Sequence, residues 1–203
     1  MIVTVSNEYG AGALAIAARV AEELDYAFVD QQLPVVVAKR LRITPQDVDA
    51  NEDALPSLGE RLLSSLERAT PELAQASAEP AFDEALLRAV QDAVREYAAS
   101  GDAVIVGRGA AAILGARPDV LRVFMHAPKA WRVGRVVEAT GIRAEAAEAE
   151  IDRVDRARAS YLQEWYGVTF GDARAYDLCI DTSRLDAAQS VAAIVAAVRA
   201  RSA

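Results

Sequence analysis

Arg108 stands between Gly107 and Gly109, directly after the apolar run Ala103, Val104, Ile105 and Val106. A charged side chain just beyond a buried strand, flanked by residues that free the backbone to turn, is seldom there for packing. Its fork of donors suits an anion, with a structural salt bridge as the competing use. Further along, arginines recur at Arg132, Arg135, Arg143, Arg153, Arg156 and Arg158. Arg132 and Arg135 share one side of a helix by their spacing, as do Arg153 and Arg156, and Asp155 is placed to pair with Arg158. Such a cluster can gather phosphate oxygens and steady the charge of a migrating phosphoryl group. Interleaved with Glu148, Glu150, Asp152 and Asp155, the same arginines also read as an ion-paired helix facing solvent, and sequence alone leaves both readings open.

A second anion-binding candidate lies at the amino end. Ile2, Val3, Thr4 and Val5 read as a buried strand. Ser6, Asn7 and Glu8 lead into a turn with Gly10 and Gly12, followed by a helix striped by Leu14, Ala17, Ala18, Ala21 and Leu24. A strand that passes through glycines into a helix converges backbone N–H groups and the positive end of the helix dipole on one point. A plain tight strand–helix turn is the alternative. The usual side chains are absent: Gly12 is followed by Ala13, Leu14 and Ala15, where the Walker pattern places lysine and then a hydroxyl residue. Glu8 would repel phosphate unless it pairs with an arginine or holds magnesium through water.

The elements that must position these groups follow from periodicity. Besides the first strand, short apolar runs are predicted at 26–29, 103–106, 120–126 and 178–180. Between them lie helical patterns at 83–99, 129–140, 143–165 and, after Asp181-Thr182-Ser183, a final helix carrying Val191, Ile194, Val195 and Val198. The segment from about Asp30 to Pro80 reads as a helical insert, with a capping signal at Thr44-Pro45 and a leucine stripe at Leu58, Leu62, Leu63 and Leu66. That stripe could pack internally or against a second copy, which leaves a homodimer open. Alternating short strands and amphipathic helices predict an α/β fold with a parallel sheet of five strands and helices on both faces. Ligands of such sheets bind beyond the carboxyl ends of the strands. The turn at 6–12, the Gly107-Arg108-Gly109 stretch and Asp181-Thr182-Ser183 share that address.

The chain has 203 residues, 53% of them hydrophobic, enough for one domain over 1–203 with a small insert. Its formal charge of -8 argues against a general nucleic-acid binder and leaves room for a small phosphorylated ligand. Cys179 is the sole cysteine, so no internal disulfide or thiolate metal cage forms, which fits a cytoplasmic protein. It is read as a buried small hydrophobe in the last strand. His126 is the sole histidine, which rules out a histidine cluster and leaves a core or rim role. No apolar run is long enough to span a bilayer, so a membrane partner is not expected. Trp131 and Trp165 are read as packing anchors.

Taken in order, several stretches carry a resemblance. They are the strand and turn 2–12, Gly107-Arg108-Gly109, Arg132-Val133-Gly134-Arg135, Asp155-Arg156-Ala157-Arg158-Ala159-Ser160-Tyr161, and Tyr176-Asp177-Leu178-Cys179-Ile180-Asp181-Thr182-Ser183. As a set covering nearly the whole chain, they resemble the cytidylate-kinase-like family of P-loop nucleoside monophosphate kinases. The resemblance implies a P-loop NTPase-like fold and transfer of a phosphoryl group from ATP, with Mg2+, to a nucleoside monophosphate such as CMP or dCMP. Small-molecule nucleotides would be the partners.

The resemblance also assigns residues. Ser6, Gly10, Ala11, Gly12, Ala13 and Leu14 would form the donor-phosphate site, and Arg108 with Asp30 would meet the acceptor. The segment 30–80 would be the acceptor-binding insert. Arg132, Arg153, Arg156 and Arg158 would act in catalysis from a lid spanning 132–166; no metal ligand is assigned. The chain departs from the family at Ala13, where cytidylate kinases carry lysine, and at Leu14, where they carry a hydroxyl residue. It also lacks the arginines that many kinase-like relatives carry near Asn7 and Leu14. A non-catalytic nucleotide- or anion-binding relative is therefore the alternative function.

Overall fold

A computed structural model describes residues 1–30 and 80–202. The acceptor insert, with its predicted helices and leucine stripe, lies outside the described residues apart from its ends. Five strands form one parallel sheet: β1 (Ile2–Asn7), β2 (Ala27–Val29), β3 (Ala103–Val106), β4 (Val120–His126) and β5 (Leu178–Asp181). Their spatial order is β2-β3-β1-β4-β5. The helices are α1 (Ala13–Leu24), α2 (Pro80–Ser100), α3 (Ala110–Leu114), α4 (Lys129–Thr140), α5 (Ala144–Tyr166) and α6 (Ala187–Ser202), with a short 3-10 turn at Ala173–Ala175. None of these helices is long and apolar enough to cross a membrane.

The period-two alternation of the central strands feeds two cores. Val3 and Val5 of β1, with Val104, Val106, Leu121, Val123 and Met125, meet α1 and α6 on one face. Ile2, Ala103, Ile105 and Val120 meet α2 and α3 on the other. Both faces are covered, which is why the strands read as nearly continuous apolar runs. Helix α2 begins at Pro80, three residues before the predicted start, because proline is well placed at a first helical position. Helix α6 begins after a reciprocal cap in which Gln189 N–H donates to Asp186 Oδ1 at 2.8 Å and Asp186 N–H donates to Gln189 Oε1 at 3.0 Å.

Two expectations are corrected. The first strand does not end at Val5: it continues to Asn7, because β4 is long enough to pair Ser6 with Phe124 and Asn7 with Met125. Cys179 is exposed rather than buried. Leu178 and Ile180 face the α1–α6 core, so the alternation turns Cys179 to the other side of an edge strand.

Edge strand β5 is fastened by charge. Asp177, just before it, accepts from the Arg122 backbone N–H at 2.9 Å and from its guanidinium at 2.9 and 3.2 Å. Arg122 holds the Asp177 carboxyl down to about 2. A lowered carboxyl contributes stability that is present above the unfolded value near 4 and is lost as pH falls toward 2. Asp177→Asn is therefore expected to lower stability by about 1 kcal/mol at pH 7, discounted for partial exposure. The gap between the two proteins should narrow between pH 4 and pH 2.5 in urea titrations. Thr4 gives a second test. It is 0% exposed, and its hydroxyl is the buried side-chain atom without a hydrogen-bond partner among the described residues. Thr4→Val should stabilise by about 1 kcal/mol, because it removes an unsatisfied polar group at nearly constant shape. A loss of stability would show that the hydroxyl is satisfied in solution.

Candidate active site

The carboxyl edge of the sheet gathers the predicted groups. Gly12 adopts φ 75° and ψ 15° and starts α1 with no side-chain cap, so the first-turn N–H groups of a 12-residue helix are left to other partners. Gly10, at φ 82°, is pressed onto α4: a Cβ there would lie 3.0 Å from Val136 Cγ2 and 3.2 Å from the Arg132 carbonyl oxygen. Tyr9 packs against Val136, Ala147 and Ile151, between α4 and α5. Ala13 is 2% exposed in the α1–α6 core, whereas Leu14 is 48% exposed. Ser6 lies in β1, before this turn. Strand alternation sends it to the α3 face, where its hydroxyl pairs with Tyr176 and lines a cavity of about 210 Å³ with Ala111, Arg122 and Leu162.

The Gly107-Arg108-Gly109 stretch is a left-handed turn. Its φ values are 68°, 57° and 69°, and Ala110 N–H donates to the Gly107 carbonyl at 3.0 Å. Arg108 is thus held where an L side chain costs about 1–2 kcal/mol. No side chain fits at Gly109, because a Cβ would lie 3.0 Å from the Tyr166 ring and 3.2 Å from the Tyr161 ring. Those two rings meet edge to face, and their hydroxyls lie 3.2 Å apart. Burial pushes the Tyr161 hydroxyl well above its ordinary value.

Arg108 and Arg158 belong to one electrostatic group. Arg158 Nη1 donates to the Asn7 carbonyl oxygen at 2.6 Å, at the end of β1. Burial depresses the Arg158 guanidinium, the Asp155 carboxylate opposes this, and the Arg108 charge adds to the depression. Burial likewise raises the Asp30 carboxyl, and Arg108 draws it partly back down. Asp30, Arg108 and Arg158 therefore come together at the strand ends, although 128 positions separate the first from the last.

The other predicted arginines are engaged or stand apart. Arg132 is 5% exposed. Its Nε donates to the Ala127 carbonyl at 3.0 Å and lies 3.3 Å from Glu8, while Nη1 donates to the Tyr9 carbonyl at 2.9 Å and to Asp155 Oδ2 at 2.7 Å. Arg153 is bound to Glu150 within α5, at 2.5 and 2.8 Å. Arg156 is exposed. The expected Asp155–Arg158 pairing gives way to a different arrangement: the Asp155 oxygens go to Tyr9 N–H, at 2.8 Å, and to Arg132. Asp181 closes the end of β5 by accepting from the Ser183 N–H and hydroxyl. His126 sits at the rim, its ring 6.2 Å from Phe124.

Sequence reasoning missed Tyr9, Asp155 as a brace, and the Tyr161–Tyr166 pair. The signal was Glu8-Tyr9 immediately before the glycines, where a carboxylate and a large ring make no sense unless something packs on them. The uncapped amides that open α1 suit an anion. Leu14 has no oxygen to offer a magnesium ion, and among the described residues there is no group of three His, Cys, Asp or Glu able to hold a metal.

Arg108→Gly separates anion binding from folding. Releasing the left-handed strain and adding glycine flexibility nearly cancel, so stability should change by less than about 1 kcal/mol. A loss of 2 kcal/mol or more in urea unfolding would make Arg108 a structural bridge.

The comparisons place this geometry among known proteins. The sequence profile of the cytidylate kinase-like family matches residues 2–184. Cytidylate kinase from Methanopyrus kandleri is 32% identical over 112 residues, spanning 51% of this chain and 58% of that protein. Cytidylate kinase from Halobacterium salinarum is 25% identical over 184 residues, spanning 91% of this chain and 82% of that protein. The crystal structure of an uncharacterized protein from Eubacterium ventriosum superimposes with a TM-score of 0.72 at 21% identity, covering 98% of each chain. The parallel five-stranded sheet is that of the P-loop kinases. With the glycine turn and Arg108 both at its carboxyl edge and the profile matching from the first strand to just past the last, the chain belongs to the cytidylate kinase-like family.

Proposed function

We propose that the protein transfers a phosphoryl group from ATP to a nucleoside monophosphate, CMP or dCMP, at a low rate. The observation that carries this reading is that Arg158 reaches the end of β1 at the Asn7 carbonyl and feels the Arg108 charge, while the Arg108 turn after β3 and the uncapped start of α1 after β1 follow neighbouring parallel strands. Two guanidinium groups held within reach of each other repel, and a phosphate between them relieves that repulsion. The family membership and the two cytidylate kinase relatives support the substrate class.

In this reading the backbone of Gly10, Ala11, Gly12, Ala13 and Leu14 holds the donor phosphates. Arg108 grips the acceptor phosphate, and Asp30 beside it orients that guanidinium. Arg158, anchored on Asn7, faces the gap between donor and acceptor and stabilises charge as the phosphoryl group crosses. Magnesium would arrive with ATP, held by phosphate oxygens and water, and would neutralise phosphate charge. The segment 132–166 forms the wall that excludes water as a competing acceptor. Arg132 and Arg153 act there through the carboxylates they bind, and Arg156 meets phosphate at the rim.

A second reading, a nucleotide-binding relative without turnover, is favoured by Ala13 and Leu14. Ala13 points into the core, so a lysine cannot simply be restored there, and Leu14 puts hydrocarbon where a hydroxyl would hold magnesium. Losing one preorganised charged contact costs roughly 3–4 kcal/mol of barrier in other enzymes.

The test is phosphoryl transfer with ATP and magnesium against CMP, dCMP, UMP and AMP, beside calorimetric titration. Slow turnover of CMP or dCMP is expected, and Leu14→Ser should raise it. Arg108→Ala should weaken CMP binding about 10-fold or more, the loss of a charged hydrogen bond. Binding without turnover in both forms would establish the second reading. Equal CMP affinity in Arg108→Ala would remove Arg108 from the acceptor site.

A further inference from the structure

The glycine turn is held from outside by one partly buried ion pair. Both backbone polar groups of Tyr9 are engaged by it: the N–H donates to Asp155 Oδ1 at 2.8 Å, and the carbonyl accepts from Arg132 Nη1 at 2.9 Å. Arg132 and Asp155 are themselves joined at 2.7 Å. Glu8 completes the frame, its Oε2 accepting from the Ala127 N–H at 3.1 Å while facing Arg132 Nε at 3.3 Å. Two successive turn residues are thus fastened to α4, to α5 and to the end of β4. The Tyr9 ring seated between α4 and α5, and Gly10 pressed on Val136, close the contact from the apolar side.

Asp155 also sits one helical turn before Arg158, and neighbours three apart share a face. The contact that fixes Tyr9 therefore sets where Arg158 reaches Asn7, at 2.6 Å. Nothing at position 13 can shape this turn with a charge, since Ala13 lies in the core. A bare run of glycine and alanine would otherwise sample many backbone conformations, and preorganised amides are what make such a turn an anion site.

We infer that Asp155 is a positioning residue. Together with Arg132 and Glu8 it holds the turn in its phosphate-binding shape and delivers Arg158 to the mouth, in place of the positively charged turn residue this chain lacks. This rests on the reading of the turn as the donor-phosphate site. The function of Asp155 is to act on backbone amides through the clamp, and it does not itself touch the nucleotide.

The test uses the full chain with Asp155→Ala and Asp155→Asn, read by amide hydrogen exchange and by calorimetric titration with ATP and, separately, CMP. In Asp155→Ala, exchange of the amides of residues 8–14 should rise about 10-fold or more, while β3 and α6 keep their protection. ATP affinity should fall by a similar factor, and CMP affinity should fall clearly less, since Arg108 lies on another turn and CMP would lose only what Arg158 contributes. Asp155→Asn keeps an acceptor for Tyr9 N–H and should fall between, and it carries the test if Asp155→Ala does not fold. Unchanged exchange at 8–14 overturns the proposal, as does a uniform rise throughout the chain or an equal loss of ATP and CMP affinity. If the unaltered protein binds no ATP while exchange responds as stated, the clamp stands and the donor-site reading falls.

Discussion

The buried guanidinium of Arg132 is the constraint on which the site depends. It sits at 5% exposure with acceptors from Glu8, Tyr9, Ala127 and Asp155, drawn from the turn after β1, the end of β4 and helix α5. Burying a charge is unfavourable unless it is paired and its donors are satisfied, and removing one partner leaves the other stranded. That asymmetry makes the arrangement specific. A shift of α4 or α5 against the sheet would orphan a charge, so the helices are held in one register. Lys129, bonded to Glu148 and Asp152, fastens the same two helices from the exposed side, where ion pairs contribute less.

A second constraint runs through Gly109. Three left-handed residues in a row form a turn that packing must hold in place, and the Tyr161 and Tyr166 rings close over the glycine where no side chain fits. Arg108 is the residue in that turn for which the conformation is unfavourable. Strain of this kind persists where the surrounding structure over-determines it, and it gathers at ligand-binding positions. The two arginines at the mouth are thus set by different devices: Arg108 by backbone strain under aromatic rings, Arg158 by the ion pair three residues before it.

These devices give chemical sense to the departures at Ala13 and Leu14. A turn that carries no positive charge of its own can still present amides to a phosphate if its shape is imposed from α4 and α5. Glu8, awkward beside a phosphate when read alone, is neutralised by Arg132 and serves as a strut. On the proposed reading, the positive charge offered to phosphate comes from Arg108 at the sheet edge and Arg158 of α5, not from the turn.

Much of this was legible in the sequence. The alternation of apolar strands with amphipathic helices predicted the parallel sheet, because strands covered on both faces must be apolar almost throughout. The glycines around Arg108, and the glycine turn opening α1, announced themselves because side-chain chemistry and local backbone freedom are properties of neighbouring residues. The partners of the charges were not legible. Arg132 finds Glu8 across more than half the chain, and Asp155 chooses Tyr9 and Arg132 over the arginine three residues along its own helix. Spacing along a helix ranks only local partners, and burial then decides among all partners that the fold brings near. Cys179 was misplaced for a related reason: how far a strand runs, and what covers each of its faces, depends on its neighbours in the sheet. The sequence determined which elements form and where charge and glycine stand along them. Tertiary structure alone decided which of those charges are spent on holding the fold and which face the cleft, because pairing in a low-dielectric interior is settled by proximity in space.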